Sequence, residues 1–496
     1  MSTLTNARGG KIDTRVKILF ADGSEYTIDN KKNLISSLKL DEELSAETNC
    51  PVGVISSRIL DIKISSTDKS LIPDNEKSIH YGLMNSTAKI ELYITEAGTE
   101  QLFGRYFVDE WSANITNNSP NQVEISATDI MGRLCKMEVP EVEFKNLHKT
   151  KDYVIALFTA LNEKLDEADR VVINENNIDF GSFPNIIYTN LDMESIGNVL
   201  NQISQSTLTN IYINRQGVLM TDSCYDDTKR EAKYTLNIMT QAKLKGMYNS
   251  FDGVTCVYTK VKPEEIVQVA SLKDVDLFND GEENKIENIK FNKSVYKLNR
   301  IEVKPYDVST IAYVSRIGYS KDKLNLYISS NANTKASIKV YGQAMTKTEQ
   351  VYEVGGKNKL EMKVSLIEED YVDKYAELLY KLMTIKNNGL VLKSYLNSNV
   401  KLGDMIYVDA SGALEIAGYY KVIGINWDFY AYASCSLTLL KTFSVDYNVD
   451  SVLVGQILKL YKRLLGITVH INMNDITNNE NNSCEKTLGS LLDRLR

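Results

Sequence analysis

KIELYITEAGTEQLFGRYFVDEW, residues 89–111, and DMIYVDASGALEIAGYYKVIGINW, residues 404–427, share one layout. Each opens on an alternating strand, KIELYITE or DMIYVDA, and passes through a turn. A second strand then begins at Gly104-Arg105-Tyr106 or Gly418-Tyr419-Tyr420 and ends at a tryptophan, and the chain has only 2 of these, Trp111 and Trp427. A loop follows, and a last alternating strand returns, VEISATD or CSLTLLK. Side chains alternate faces along a strand with period two. The odd separations Tyr106–Trp111 and Tyr420–Trp427 therefore set Trp on the face opposite Tyr, provided neither strand contains a bulge. Gly104, Tyr106, Trp111, Gly418, Tyr420 and Trp427 are read as structural residues of one supersecondary unit used twice. The plainer alternative is coincidence among hairpins, which are all rich in Gly, Tyr and alternation. If the unit is repeated, three chains present six similar units, and closed symmetry needs such matching patches.

Around the first unit, residues 15–136 read as β. RVKILF and EYTI flank the turn Asp22-Gly23, SSRILDIKISS alternates, and QVEISATD closes the run. Residues 148–224 change period. Val154, Leu157, Phe158, Leu161 and Leu165 recur at three and four, as on an amphipathic helix. Asp192 is the expected N-cap of a second helix carrying Met193, Ile196, Leu200 and Ile203. TNIYINRQGVLMTDS reads as two strands around the turn Asn214–Gly217. FDGVTCVYT, LNLYISS and ASIKVYG read as strands, whereas ASLKDVDLFNDGEENKIENIKFNKS reads as a long surface excursion. A helix is expected from about Leu366 to Ile385. Beyond Asp450, Leu453, Val454, Ile457, Leu458, Tyr461 and Leu465 form a helical stripe, read either as a helix lying on its own chain's barrel or as a docking element that three chains share with each other, a central spike or the tape measure protein.

The expected fold class is mainly β with α+β parts: two tube-like antiparallel β-barrels, an α/β module, an insertion domain and a C-terminal helical tail. The expected division is 1–145 for the first barrel, 146–235 for the α/β module and 236–345 for a connecting, β-rich insertion. Residues 346–448 then form a helix and the second barrel, and 449–496 the helical tail.

The net charge of -8 and pI of about 5.3 come without any Lys/Arg-dense run, so the chain lacks the footprint of a phosphate-gripping protein. A solvated surface explains that acidity, and so does a channel that nucleic acid crosses without sticking. The 6 cysteines are scattered and form no C-x-x-C pair, as expected of reduced thiols in a cytosol-assembled protein. No leader-like apolar region opens the chain, and no run reaches the ~18 apolar residues of a membrane span. His80, His148 and His470 have no metal-ligand spacing, and G-x-S-x-G, G-x-x-x-x-G-K-[ST] and H-E-x-x-H are absent. Glu368-Glu369-Asp370 lie at a helix start, where they suit the macrodipole. The reading is a non-enzyme with no cofactor, no metal and no membrane insertion.

Several segments together resemble the phage baseplate hub and tail-associated family, in particular minor structural proteins of tails that infect Gram-positive bacteria. They are Pro51-Val52-Gly53, Ser56-Ser57 and Leu60-Asp61-Ile62-Lys63-Ile64, then Gly104–Asp109 and Ile125–Asp129. Near the other end they are Leu402-Gly403-Asp404, Ile406-Tyr407-Val408 and Tyr420-Lys421-Val422. The resemblance implies the same barrels, module and insertion, assembled as a homotrimer at the end of the tail tube. There the ring adapts a six-fold tube, or distal tail protein ring, to a three-fold central spike or fibre. It implies a virion component of the tail tip, assembled in the host cytoplasm, beside the tape measure protein, with DNA passing through without specific binding. The chain departs from the family in two ways: no peptidase or lysozyme domain follows the second barrel, and residues 260–345 have no match. Two other classes stay open: a tail-associated cell-wall hydrolase, and a carbohydrate- or receptor-binding tail protein.

Overall fold

The computed structural model describes residues 13–28, 33–44, 53–67, 69–96, 98–115, 121–140, 149–187, 195–225, 239–245, 251–279, 281–320, 323–384, 389–395, 398–410, 416–429 and 434–441. The chain opens with β1 (Asp13–Leu19), β2 (Glu25–Thr27), β3 (Asn33–Glu43), β4 (Ile55–Ser56), β5 (Ile59–Ser66), β6 (Lys89–Glu96), β7 (Thr99–Asn114) and β8 (Asn121–Thr128). Helices α1 (Ile130–Cys135), α2 (Thr150–Asn162) and α3 (Ile196–Thr207) follow, with the hairpin β9 (Thr209–Ile213) and β10 (Leu219–Ser223). Next come β11 (Met239–Lys245), β12 (Gly253–Leu277), β13 (Asn284–Lys290), β14 (Val295–Pro305), β15 (Ala312–Ser320), β16 (Lys323–Ser330), β17 (Thr334–Gly355) and β18 (Lys359–Lys363). Helix α4 (Val372–Thr384) precedes β19 (Gly389–Tyr395), β20 (Met405–Ala410), β21 (Ile416–Asp428) and β22 (Ser434–Leu440).

The fold is mainly β, as the alternating runs require. Closed tubes are not found among the described residues. Instead, both expected barrels lie in one 12-stranded sheet ordered β11-β19-β22-β21-β3-β5-β8-β7-β6-β1-β2, with β20 beside β21. They meet where β3 pairs with β21. One apolar core serves both halves, from Val16, Leu40, Ile62, Ile90 and Tyr106 to Leu390, Val408, Tyr420, Trp427 and Leu439. The period-two alternation that marks β5 in sequence is also what buries it, since Leu60, Ile62 and Ile64 all face inward.

The sheet contains the doubling. The order β3-β5-β8-β7-β6 in one half recurs as β11-β19-β22-β21-β20 in the other, antiparallel at every step. Gly104 stands opposite Leu92 and Tyr106 opposite Ile90, as Gly418 stands opposite Val408 and Tyr420 opposite Ile406. Both long strands are bulged three residues after the tyrosine: at Asp109, between Val108 and Glu110, and at Ile423, between Val422 and Gly424. A bulge inserts one residue and flips the faces that follow. Trp111 and Trp427 therefore pack on the same core as Tyr106 and Tyr420. This reverses the opposite-face expectation, which held only for unbulged strands. The tryptophans are also not register equivalents. Trp111 lies opposite Ile125, two residues past its bulge, and Trp427 lies opposite Cys435, four past its own.

Three other corrections concern boundaries. Helix α3 is capped by Ser195, whose Oγ accepts from the Asn198 amide at 3.2 Å, rather than by Asp192, which lies outside the described residues. The expected surface excursion at 270–294 is largely strand: β12 continues to Leu277, and β13 follows. Its charged residues hid the period because β12 and β17 form a ribbon from Gly253↔Gly355 to Leu277↔Thr334, with a middle section accessible on both faces. A separate core of Val269, Leu324, Leu326, Ile328, Ile338 and Val340 fills its outer part. The helix expected from about Leu366 begins at Val372, behind a short 3-10 turn.

One end of the first half is closed by residues 69–88, whose buried Leu71, Ile72, His80 and Met84 face the core. The His80 ring stacks on Phe20 with centroids 4.4 Å apart and meets Tyr26 edge-on at 5.2 Å. Its Nε2 is buried without a hydrogen-bond partner among the described residues. Burial lowers the His80 pKa, with the Asp22 carboxylate pulling the other way. A histidine held neutral by folding contributes stability that is present above its unfolded pKa of about 6.5 and lost as pH falls below it. Hydrogen-exchange protection of amides 69–88 should drop between about pH 7.5 and about pH 5, and His80→Phe should abolish that drop. The same drop in the variant would assign it to another group.

Candidate functional site

The residues with the most demanding surroundings lie where β3 meets β21. Glu42, near the end of β3, is 3% exposed, so its carboxylate has left water and requires partners. They come from far along the chain. Arg215, in the β9–β10 turn, grips it with two bonds, Nε to Oε1 at 3.0 Å and Nη2 to Oε2 at 2.5 Å. The Trp427 indole N–H donates to Oε2 at 2.9 Å. The Arg215 guanidinium also lies 4.4 Å from the Phe103 ring centroid and 4.7 Å from that of Trp427, and its Nη1 donates to the Ser398 carbonyl at 2.9 Å. A planar fork that stacks and binds a carboxylate bidentately is a task for arginine rather than lysine.

A second buried arginine extends the cluster. Arg58, just before β5, donates from Nε to Asp129 at 2.9 Å and from Nη2 to the Ile213 and Asn214 carbonyls at 3.0 and 2.9 Å. Its Nη1 stands 3.9 Å from Glu42. Asp129 does double duty, because its carboxylate also caps α1 through the Gly132 amide at 3.2 Å. Desolvation opposes ionisation of Glu42, but Arg215, Arg58 and Trp427 outweigh it and hold its pKa below the usual value. At Asp129 burial pushes the pKa up against the pull of Arg58. Further along β21, Lys421 is also buried, with Nζ 3.1 Å from Asp222 and 2.5 Å from the Ser223 carbonyl. A cleft of about 310 Å³ opens beside Arg58 and Arg215, lined also by Asn214, Lys401 and Asp404.

This geometry ties three parts of the chain together. β3, Arg58 and Asp129 belong to the first half, Arg215 to the α/β module, and Trp427 and Ser398 to the second half. Its ion pairs are internal, which makes it a mechanical joint. Burial pushes the Cys135 and Cys256 thiols up to about 12, far from thiolate reactivity at neutral pH. Among the described residues no three of His, Cys, Asp and Glu are placed to hold a metal, and no helix is long and apolar enough to cross a membrane.

Of the residues singled out in the sequence, Trp427 is in the joint, and Gly104, Tyr106, Trp111, Gly418 and Tyr420 lie elsewhere in the same sheet. The Gly104 and Tyr106 pairing has a steric reason: a Cβ at Gly104 would stand 2.5 Å from the Tyr106 hydroxyl. At Gly418 the Tyr420 ring leaves 4.0 Å, so the second copy is looser. Leu453, Val454, Ile457, Leu458, Tyr461 and Leu465 lie outside the described residues. Sequence reading missed Glu42, Arg58 and Arg215 as partners, since residues up to 173 positions apart carry no local signal. Asp129 and the Asn214–Gly217 turn were visible, but as a strand end and a turn.

No protein-family model matches the chain, and no curated protein does. Solved structures similar in chain trace are tail proteins and secretion-system components. The 43 kDa tail protein of prophage MuSo2 from Shewanella oneidensis is 9% identical with a TM-score of 0.47, over 86% of this chain and 98% of that one. A tail protein from Neisseria meningitidis is 11% identical with a TM-score of 0.47, over 86% and 96%. The E. coli c3393 protein, a type VI secretion component, is 9% identical with a TM-score of 0.38, over 84% and 78%.

Breaking the joint on one side strands a buried charge, which costs about 3–5 kcal/mol. Glu42→Gln should lower unfolding stability by that amount in denaturant titration. Glu42→Leu combined with Arg215→Met should lose less than the two single changes added together. Strict additivity would show that the pair is not coupled.

Proposed function

We propose that this chain is a structural hub of a phage tail tip or baseplate, or of a phage-like contractile particle. In this reading three chains form a ring with pseudo-six-fold symmetry that joins the tail tube, or the distal tail protein ring, to a central spike or fibre. The observation that carries it is the doubling of a five-strand unit with the same strand order and the same bulge three residues after Tyr106 and Tyr420. One chain then supplies two similar surfaces, and three supply the six that a six-fold tube presents. The order of the tail-family motifs along the chain supports the same reading. A net charge of -8 suits a lumen that DNA crosses without specific binding. Mass measurement of the isolated assembly, with rotational symmetry from images of the particle, tests the ring. The expected result is three chains per ring in register with a six-fold tube. A chain that stays monomeric at all concentrations and joins no ring overturns it.

The C-terminal stripe Leu453, Val454, Ile457, Leu458, Tyr461 and Leu465 is proposed as a docking element that faces the spike or the tape measure protein. Fully burying a leucine contributes about 1.5–3 kcal/mol. Leu458→Asp with Leu465→Asp should therefore abolish co-purification of those partners while circular dichroism of the β-sheets stays unchanged. Retained co-purification removes the docking role, and loss of the β signal makes the stripe part of the fold's own packing.

A further inference from the structure

The β3–β21 joint has a counterpart that a single chain leaves open. Inside the chain, Lys39, Leu40, Asp41, Glu42 and Glu43 lie opposite Asp428, Trp427, Asn426, Ile425 and Gly424. The registers carry each side of this joint into the other repeat. Glu110 pairs with Ser126, Ser126 with Asp61, and Asp61 with Lys39. In the second half Gly424 pairs with Thr438, Thr438 with Val391, and Val391 with Lys243. So β11 occupies the place of β3, and Glu110–Asn114 of β7 occupy the place of Gly424–Asp428.

The two places differ in what covers them. Gly424–Asp428 are flanked by β22 on one side and β3 on the other, and Ile425 and Trp427 are fully buried. Among the described residues Glu110–Asn114 pair with β8 alone, because β6 leaves β7 at Phe107. There Glu110, Ser112 and Asn114 are exposed, and Trp111 and Ala113 are half-buried. Among the described residues β11 pairs with β19 alone and ends the sheet. An unpaired strand edge is a template for another chain. The two edges also carry opposite charges at exposed positions, Lys243 on β11 and Glu110 on β7.

We propose that β11 of one chain adds antiparallel to the Glu110–Asn114 edge of β7 in a second copy of this chain. By the same registers Lys243 then faces Asn114, Leu244 faces Ala113 and Lys245 faces Ser112. Intramolecular β3–β21 and intermolecular β11–β7 joints alternate, so the sheet runs unbroken around the ring. The inference rests on the ring reading above, and it specifies which strands close the ring.

Opposite residues of antiparallel strands have Cα atoms about 4.5–5.5 Å apart, within disulfide reach. Chains bearing Lys243→Cys are mixed with chains bearing Asn114→Cys and oxidised, with the unmodified chain as control for its native thiols. The expected product is a two-chain adduct that dithiothreitol reverses. A chain carrying both changes should give a covalent species that stops at three chains, and moving the second cysteine to Ala113→Cys should reduce the yield several-fold. A trimer by mass that forms no adduct overturns the strand joint and leaves the ring reading standing. A cross-link within one chain also overturns the joint. A chain that stays monomeric and forms no adduct overturns both.

Discussion

A carboxylate that loses its water must find charge and hydrogen bonds elsewhere, and Glu42 finds them only if three distant parts of the chain converge. Arg215 brings the β9–β10 turn, Trp427 brings the end of β21, and Arg58 brings the approach to β5 together with Asp129. Each partner is held in turn. Asp129 caps α1, and the Arg215 guanidinium lies against the rings of both Phe103 and Trp427. A cluster of this kind adds little net stability compared with apolar residues of equal volume. What it supplies is position, because a one-residue slip of β3 against β21 would bury unpaired charges.

The bulges serve the same end. Without the extra residue at Ile423, Trp427 would point away from the core and from Glu42. The bulge at Asp109 likewise turns Trp111 inward, where its indole N–H reaches the Leu71 carbonyl at 3.1 Å. In the second half the bulged strand is then covered by β3, whereas in the first half its outer segment stays at an edge. That asymmetry within an otherwise repeated unit is a property of one chain alone. In the proposed ring a second copy of the chain supplies the missing neighbour, which is why the joint inside the molecule suggests contacts outside it.

The insertion shows how burial governs what is readable. Strands that pack one face on a core alternate visibly, as β5 and β8 do. The middle of β12 is accessible on both faces, so selection for apolar residues is weak there and charge hides the strand. The ribbon is held by its ladder to β17, and backbone hydrogen bonds leave no mark in composition.

By itself the sequence determined the type of those elements that pack one face on a core, because period-two and period-3.6 patterns are local consequences of that packing. It also showed the repeated Gly-x-Tyr hairpin, whose glycine has a steric reason in the first copy, where a Cβ at Gly104 would meet the Tyr106 hydroxyl. Only the tertiary structure decided that both halves share one sheet and one core and that the two tryptophans occupy different register positions. It alone decided that Glu42, Arg58 and Arg215 form the joint. Those facts depend on bulges and on contacts between residues far apart in the chain. The energies that select them act through space, on pairs that no window of neighbouring residues contains.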